Sequence, residues 1–297
     1  MTGYLIAMLT QTGLYALLAL SLNLQWGYTG LLNFGQVGFF ACGAYAYAII
    51  AGTLGWHPLA AFVAAMLVAA IIALPIGFAS IRLRLPFYLA IATLGFSETV
   101  RAVLTNEAWL TNGTRGMAVR MFVAGLDPRT NQILMLVVVL VCVAVVFVVL
   151  ERLGGSPFGR TIEAIRDNEN AARSLGKDVA AYKIRVFMLG AAIAGGAGAL
   201  NAVYVGYLVP DQFLPIITFY IWMAVVIGGS GSNRGMLVGA ILLVFFLEGS
   251  RFVKDILPTA LALSDARMAA VRYLVIGAAL TLVPMYWPRG LWGRKGF

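Results

Sequence analysis

The sequence predicts an all-α, polytopic membrane protein with about eight to ten transmembrane helices, some of them broken or re-entrant. Two observations carry that prediction. Hydrophobic residues make up 61% of the 297-residue chain and charged ones only 11%, whereas a soluble domain carries charge on about a quarter of its residues. The apolar residues also fall in long continuous runs, not in the ten-residue alternations of a barrel strand. So few charges could not cover the surface of two soluble domains. Disorder is excluded as well, because disordered chains are poor in the aliphatic and aromatic residues abundant here.

Runs of about 20 residues cross roughly 30 Å of hydrocarbon. Five segments meet that length cleanly: 4–24, 58–80, 131–150, 186–208 and 271–287. The first has no basic stretch ahead of it and reads as a retained span, not a cleaved signal. Four further segments are interrupted. The run 34–54 opens on Phe34-Gly35-Gln36-Val37-Gly38, and 86–104 ends on Glu98 and Arg101. The run 213–229 starts at Pro215 and closes on Gly228-Gly229, and 235–250 ends at Glu248. About nine spans result, some of them reading as half-helices.

Orientation follows from the loop 151–185, which holds Arg152, Arg160, Arg166, Arg173, Lys177, Lys183 and Arg185. Basic loops stay in the cytoplasm. Alternation from that loop puts Arg82, Arg84, the turn Gly231-Ser232-Asn233-Arg234 and the C-terminal Arg289, Arg294 and Lys295 on the inside. The N-terminus and the loops near 105–130 and 251–270 then face out. Trp56, Trp109, Trp287 and Trp292 fall at span borders, where indole rings prefer the headgroup zone. The net charge of +9 thus reports topology, and no stretch is both basic and soluble enough for a nucleic-acid domain.

Chemistry in the usual sense is absent. The single histidine, His57, precedes Pro58 at a span border and reads as a loop residue. Cys42 and Cys142 each lie in an apolar run and read as small hydrophobes. No His/Cys/Asp/Glu grouping has metal-ligand spacing, so neither an enzyme nor a metal site is expected. Gly228 to Gly235 lacks the Lys-Ser/Thr pair of a nucleotide-binding loop. Glu98 and Arg101, three apart, are placed to neutralise one another on a helix, and no acid marks mid-membrane for ion coupling.

What remains at membrane depth is neutral. Asn23, Gln25, Asn33, Gln36, Thr93 and Ser97 suit a neutral or zwitterionic solute, or else pair with backbone at helix breaks. The two Gly-rich breaks, Asn23 to Gln36 and Gly228 to Gly235, both lie on the inner side, and each runs on to a Gly-Ala pair, Gly43-Ala44 and Gly239-Ala240. Irregular backbone of this kind lines a cavity in transporters, although most of the glycines serve close packing. Candidates for a translocation path are Gln25, Asn33, Gln36, Thr93, Gly228 and Gly231.

The inner loop reads as a short helix, with Ser156 as N-cap, Pro157 in the first position and Gly176 just beyond Leu175. Ile162, Ile165, Ala172 and Leu175 fall roughly on one face and mixed charges cover the rest, which suits a short element presenting small residues and a few aliphatics to a partner's groove, the alternative being a solvated connector. Ala171-Ala172-Arg173-Ser174-Leu175-Gly176, followed after nine residues by Val186-Phe187-Met188, resembles the loop by which bacterial ATP-binding-cassette (ABC) importer permeases dock on their ATPase. That loop carries Glu-Ala-Ala, three residues, Gly and a hydrophobic motif. Here the acid, Glu169, lies one position early, and leucine instead of proline follows Met188.

Those departures look like the permeases of branched-chain amino acid importers. The stretches Leu20 to Gly35, Leu83 to Phe96, Leu110 to Gly116 and Gly228 to Ala240 resemble the M-type (LivM-type) members of that family, over about residues 15–290. The resemblance implies one transmembrane permease domain over 1–297 with a cytoplasmic coupling loop at 151–185. It implies a second, related permease as partner, two cytoplasmic ATPase subunits that bind the ATP, a periplasmic solute-binding protein, surrounding lipid, and no cofactor in this chain. It places the chain in a bacterial inner membrane and puts Glu163, Ala164, Arg166, Glu169, Ala171, Ala172 and Gly176 in the ATPase-coupling loop. The competing reading is a self-sufficient secondary transporter or channel for a small neutral solute.

Overall fold

In a computed structural model, which describes residues 2–82, 86–123, 125, 127–256, 265–287 and 289–293, each of the nine predicted segments is built mainly of helix. Helix α1 (Thr2–Gln25) leads through the first Gly-rich break into α2 (Gln36–Tyr47), which ends in a π-helical turn, Ala48–Thr53. Then come α3 (Pro58–Ile72), α4 (Leu74–Arg82), α5 (Pro86–Asn106) and the short α6 (Ala108–Thr111). Strand β1 (Met117–Ala118) precedes the long α7 (Pro128–Gly155), and α8 (Pro157–Asp167) and α9 (Glu169–Ser174) form the basic loop. Helix α10 (Val179–Val205), strand β2 (Tyr207–Leu208), α11 (Ile216–Gly228), α12 (Asn233–Ile256) and α13 (Asp265–Tyr286) complete the chain.

Among the described residues seven helical stretches are long and apolar enough to cross a membrane. The segment 271–287 contributes a shorter apolar stretch, Tyr273–Tyr286. The interruptions have local causes. Pro75 has no N–H to donate and its ring excludes the carbonyl of Ile71, so the second long span is split into α3 and α4. Helix α11 is only 13 residues long, a rise of about 20 Å, and reaches spanning length only together with the turn that begins at Pro210.

Packing follows membrane rules, with small residues inward and large ones outward. On α3 the buried stripe is Ala61, Ala65 and Ala69, whereas Leu59, Val63, Leu67 and Ile71 are exposed. Helix α1 sits centrally, packed against α7, α10, α11 and α12, and buries Leu17, Leu18, Leu20, Leu22 and Leu24. Helices α2 and α10 cross at near backbone contact: a Cβ on Gly43 would fall on the Gly195 carbonyl, and one on Gly198 on that of Phe40.

Loops assigned to one side meet one another. On the predicted outer side β1 pairs antiparallel with β2, Met117 opposite Leu208 and Ala118 opposite Tyr207. On the predicted inner side the C-terminal turn docks on the end of α11, with Leu291 N donating to Ile227 O and Trp292 N to Gly228 O. Trp56, Trp109, Trp287 and Trp292 are all more than half exposed. Arg84, Arg294, Lys295 and residues 257–264 of the predicted outer 251–270 loop lie outside the described residues, and the rest of that loop is the end of α12 and the start of α13.

Candidate functional site

The neutral polar residues predicted at membrane depth converge on the half of the bundle predicted to face inward, where α1, α2 and α10 meet. Gln25, Asn33 and Gln36 are fully buried and bonded to one another: the Asn33 amide donates to Gln25 Oε1 and Gln36 Oε1, each at 2.7 Å. Gln36 Nε2 donates to Ser21 Oγ at 2.6 Å, Ser21 donates to the Gly190 carbonyl at 2.6 Å, and Gln25 Nε2 reaches the Phe187 carbonyl at 3.3 Å. Buried amides demand partners, and here the cluster closes on itself and on the backbone of α10. It fills the seam between the three helices with a hydrogen-bonded plug.

The break around this plug is held by three bonds, one from α5 and two from α11. Thr93 of α5 accepts from Phe34 N at 2.9 Å, Thr218 of α11 accepts from Val37 N at 3.1 Å, and Trp222 Nε1 donates to the Asn33 carbonyl at 3.0 Å. Trp222 also stacks on Phe34, ring centroids 5.1 Å apart, and lies 5.5 Å from the ring of Trp26. These rings border an apolar cavity of about 500 Å³ that opens between α11 and α13.

The structure brings the two Gly-rich breaks together. Asn23 Oδ1 accepts from Gly231 N at 2.8 Å, and Asn23 Nδ2 donates to Asn233 Oδ1 at 3.0 Å. Asn233 donates in turn to Tyr28 Oη at 3.0 Å and Glu151 Oε1 at 3.3 Å, adding the end of α7 to the junction. Gly231 holds φ +81°, a left-handed conformation open to glycine at no steric cost. Gly228 permits the tight α11–α12 turn, since a Cβ there would strike the Gly235 carbonyl. Asn233, Trp222, Ser21 and Thr218 were not among the sequence candidates; the polar residue types were visible, but their partners lie up to 210 positions away.

The basic loop departs from its predicted form. Ser156 caps α8 as expected, its Oγ accepting from Gly159 N at 3.2 Å. The single helix expected up to Leu175 is instead two helices, because Asn168 adopts an extended conformation and its side chain caps α9 by accepting from Ala171 N at 3.0 Å. The predicted apolar face is split too: Ile162, Ile165 and Ala172 are buried, but Leu175 is 79% exposed. Ala172 packs with Ile165 and Val179, while Ala164, Ala171 and Gly176 face solvent and Glu163 is half-buried.

Two of the loop candidates anchor it to the bundle. Arg166 Nη1 donates to the Gly27 carbonyl at 2.8 Å, reaching the first break directly. Glu169 pairs with Arg173 at 2.9 Å and with Lys183 of α10 at 2.6 Å. The α8–α9 loop is therefore tied to the first break through Arg166 and to α10 through Glu169. Elsewhere Glu98 pairs with Arg101 at 2.8 Å, both cysteines are free, and His57 caps α3, accepting weakly from Leu59 N at 3.4 Å.

Comparison with known proteins shows the family to which the chain belongs. Residues 4–284 match the profile of the family described as branched-chain amino acid transport system / permease component. The chain is 32% identical over 306 residues to the high-affinity branched-chain amino acid transport system permease protein LivM of Salmonella typhimurium, covering 95% of this chain and 68% of that protein. It is 28% identical to a probable branched-chain amino acid transport permease protein LivM of Methanocaldococcus jannaschii, over 95% of this chain and 91% of that one. It is 26% identical to the high-affinity branched-chain amino acid transport system permease protein LivH of Escherichia coli K12, over 94% of this chain and 91% of that one.

Proposed function

The chain belongs to the family of branched-chain amino acid transport system permease components and is a multi-pass permease subunit of an ABC importer; from that premise we propose how it works and what it carries. Its solute is a branched-chain or related amino acid, delivered by a periplasmic binding protein and released into the cytoplasm. It pairs with a related permease of the LivH kind, and two ATPase subunits under the pair bind the ATP, so this chain needs no cofactor of its own. The N-terminus lies outside a bacterial inner membrane and the C-terminus inside, the orientation that puts the basic α8–α9 loop in the cytoplasm.

The observation that carries the mechanism is the double anchoring of that loop. Closure of the ATPase dimer displaces α8–α9, and the Arg166 bond to Gly27 passes the displacement to the break between α1 and α2. The Glu169–Lys183 pair passes it to α10, whose Phe187 and Gly190 carbonyls hold the amide plug. A partner that binds one arrangement better than the other needs only a few kcal/mol of differential affinity to shift such an equilibrium.

Proteoliposomes test the reading. The chain alone shows no uptake of labelled leucine under a proton or sodium gradient, and uptake appears with the second permease, the ATPases, the binding protein and ATP. Gradient-driven uptake by the chain alone overturns the proposal in favour of a self-sufficient transporter.

A further inference from the structure

The outer half of the bundle holds a second, differently built cavity. It has a volume of about 250 Å³ and is lined by Gln11, Leu14, Tyr15 and Leu18 of α1, with residues of α2, α10 and α11 around them. Gln11 lies about 21 Å up the helix from Gln25. Asn201 of α10, near the end of a 27-residue apolar helix, faces the cavity, with Val205 at its mouth. Gln11, Tyr15 and Asn201 make no side-chain hydrogen bond with any described residue. Gln212 is held by its own loop, donating to the Tyr207 carbonyl at 3.3 Å.

Gln11, Tyr15 and Asn201 are only partly buried, so water or a polar guest can take the place of a protein partner at this depth. No lysine, arginine, aspartate or glutamate is among the lining residues; the carboxylate of Glu248 acts on Tyr15 from beyond the lining, and an ion carrying net charge would still lose its hydration without a charged contact. The lower wall, Leu14, Leu18 and Phe40, is apolar. Helix α11 begins beside it, with Ile217 in the lining, and its N-terminal end favours a carboxylate. The volume falls below the roughly 300–1,000 Å³ typical of sites for drug-sized ligands.

The cavity stands directly above the plug on the same three helices. Gln11, Tyr15, Leu18, Ser21 and Gln25 share one face of α1 at helical spacing, and Phe40 and Gln36 share one face of α2. Building on the importer reading, we infer that this cavity is the outer resting site of the solute within the permease: a small zwitterionic amino acid with an aliphatic side chain. Its polar end meets Asn201, Gln11 and the start of α11, and its side chain rests on Leu18 and Phe40, with the Ser21–Gln25–Asn33–Gln36 plug closing the way inward.

The test uses the complete reconstituted importer with saturating binding protein, measuring labelled leucine and alanine uptake beside ATP hydrolysis. Asn201→Leu removes a polar contact and lowers leucine uptake about tenfold, the worth of one hydrogen bond left unmade. ATP hydrolysis stimulated by the binding protein stays within about twofold, because the loop and its anchors are untouched. Val205→Trp, at a position already 45% exposed, fills the mouth without burying a new group and depresses leucine uptake more than alanine uptake. Wild-type transport with both variants matching it in rate and in leucine-to-alanine ratio overturns the site while leaving the importer reading intact. A wild-type assembly without ATP-dependent uptake overturns both.

Discussion

Replacing Asn23 by leucine keeps the side-chain volume nearly constant and removes only polarity, which makes it a direct probe of the junction between the two breaks. Asn23 is fully buried and makes two hydrogen bonds to the second break, to Gly231 N at 2.8 Å and to Asn233 Oδ1 at 3.0 Å. The substitution leaves a buried backbone N–H and a buried amide oxygen without partners. Each orphaned group costs about 1–3 kcal/mol; Asn233 keeps its bonds to Tyr28 and Glu151 through Nδ2 alone, so its Oδ1 and the Gly231 N–H together cost about 2–6 kcal/mol. For a chain of this size that lowers the melting midpoint by roughly 3–10 °C. The assay is thermal unfolding of the purified protein in detergent, with Asn106→Ala as control, since Asn106 is exposed and bonds only to a carbonyl of its own helix. The control melts within about 1 °C of wild type, as surface changes cost little. An Asn23→Leu variant that melts with the control and supports normal uptake in the assembled importer refutes the idea that this side chain holds the breaks together.

Two further outcomes concern the basic loop. Gly176→Trp places a side chain where φ is +74° and no other atom lies within 4 Å, so it costs only about 1–2 kcal/mol of local strain; it leaves membrane insertion intact and uncouples ATP hydrolysis from uptake, and normal uptake by a stably expressed variant contradicts the loop's role. Glu169→Gln removes the charge shared by Arg173 and Lys183 and, with Lys183 nearly buried, destabilises the protein by about 1–2 kcal/mol, less than a fully buried pair would; a thermal midpoint unchanged from wild type shows that the pair carries no load.

The fold was legible because a lipid environment leaves few choices: a chain crossing hydrocarbon must satisfy its backbone internally, so each apolar run of sufficient length declares a helix. Where helices bend was legible only in part. Pro75 marks the α3–α4 break, although 58–80 reads as one clean span by its hydropathy, and the π-helical turn at Ala48–Thr53 has no comparable marker. Asn168 could have been read as a second N-cap inside the basic loop, with Ala171 in capping position, but its place in a helical pattern concealed it. In the site, Asn23, Gln25, Asn33 and Gln36 stood out as amides among apolar neighbours. Whether they line an open passage or pair with one another depends on distances across the bundle, which spacing along the chain does not encode. Gln11 and Asn201 carried the same signal, a lone amide in a long apolar helix, and went unread because neither sits at a break.

The outer strand pair has a mechanical consequence. Met117 and Ala118 bonded to Leu208 and Tyr207, Val119 N donating to Gly206 O and Tyr47 Oη donating to the Arg120 carbonyl tie the outer ends of α2 and α10 to one rim. A lever fixed at one end travels most at the other. Helix α10, with 27 residues, is about 40 Å long, so tilting it by about 5° around that rim carries its inner end some 3–4 Å. Phe187 and Gly190, about 24–28 Å from that rim, would move about 2 Å, enough to stretch their bonds to Gln25 and Ser21, now 3.3 and 2.6 Å, past hydrogen-bonding distance while the rim barely moved.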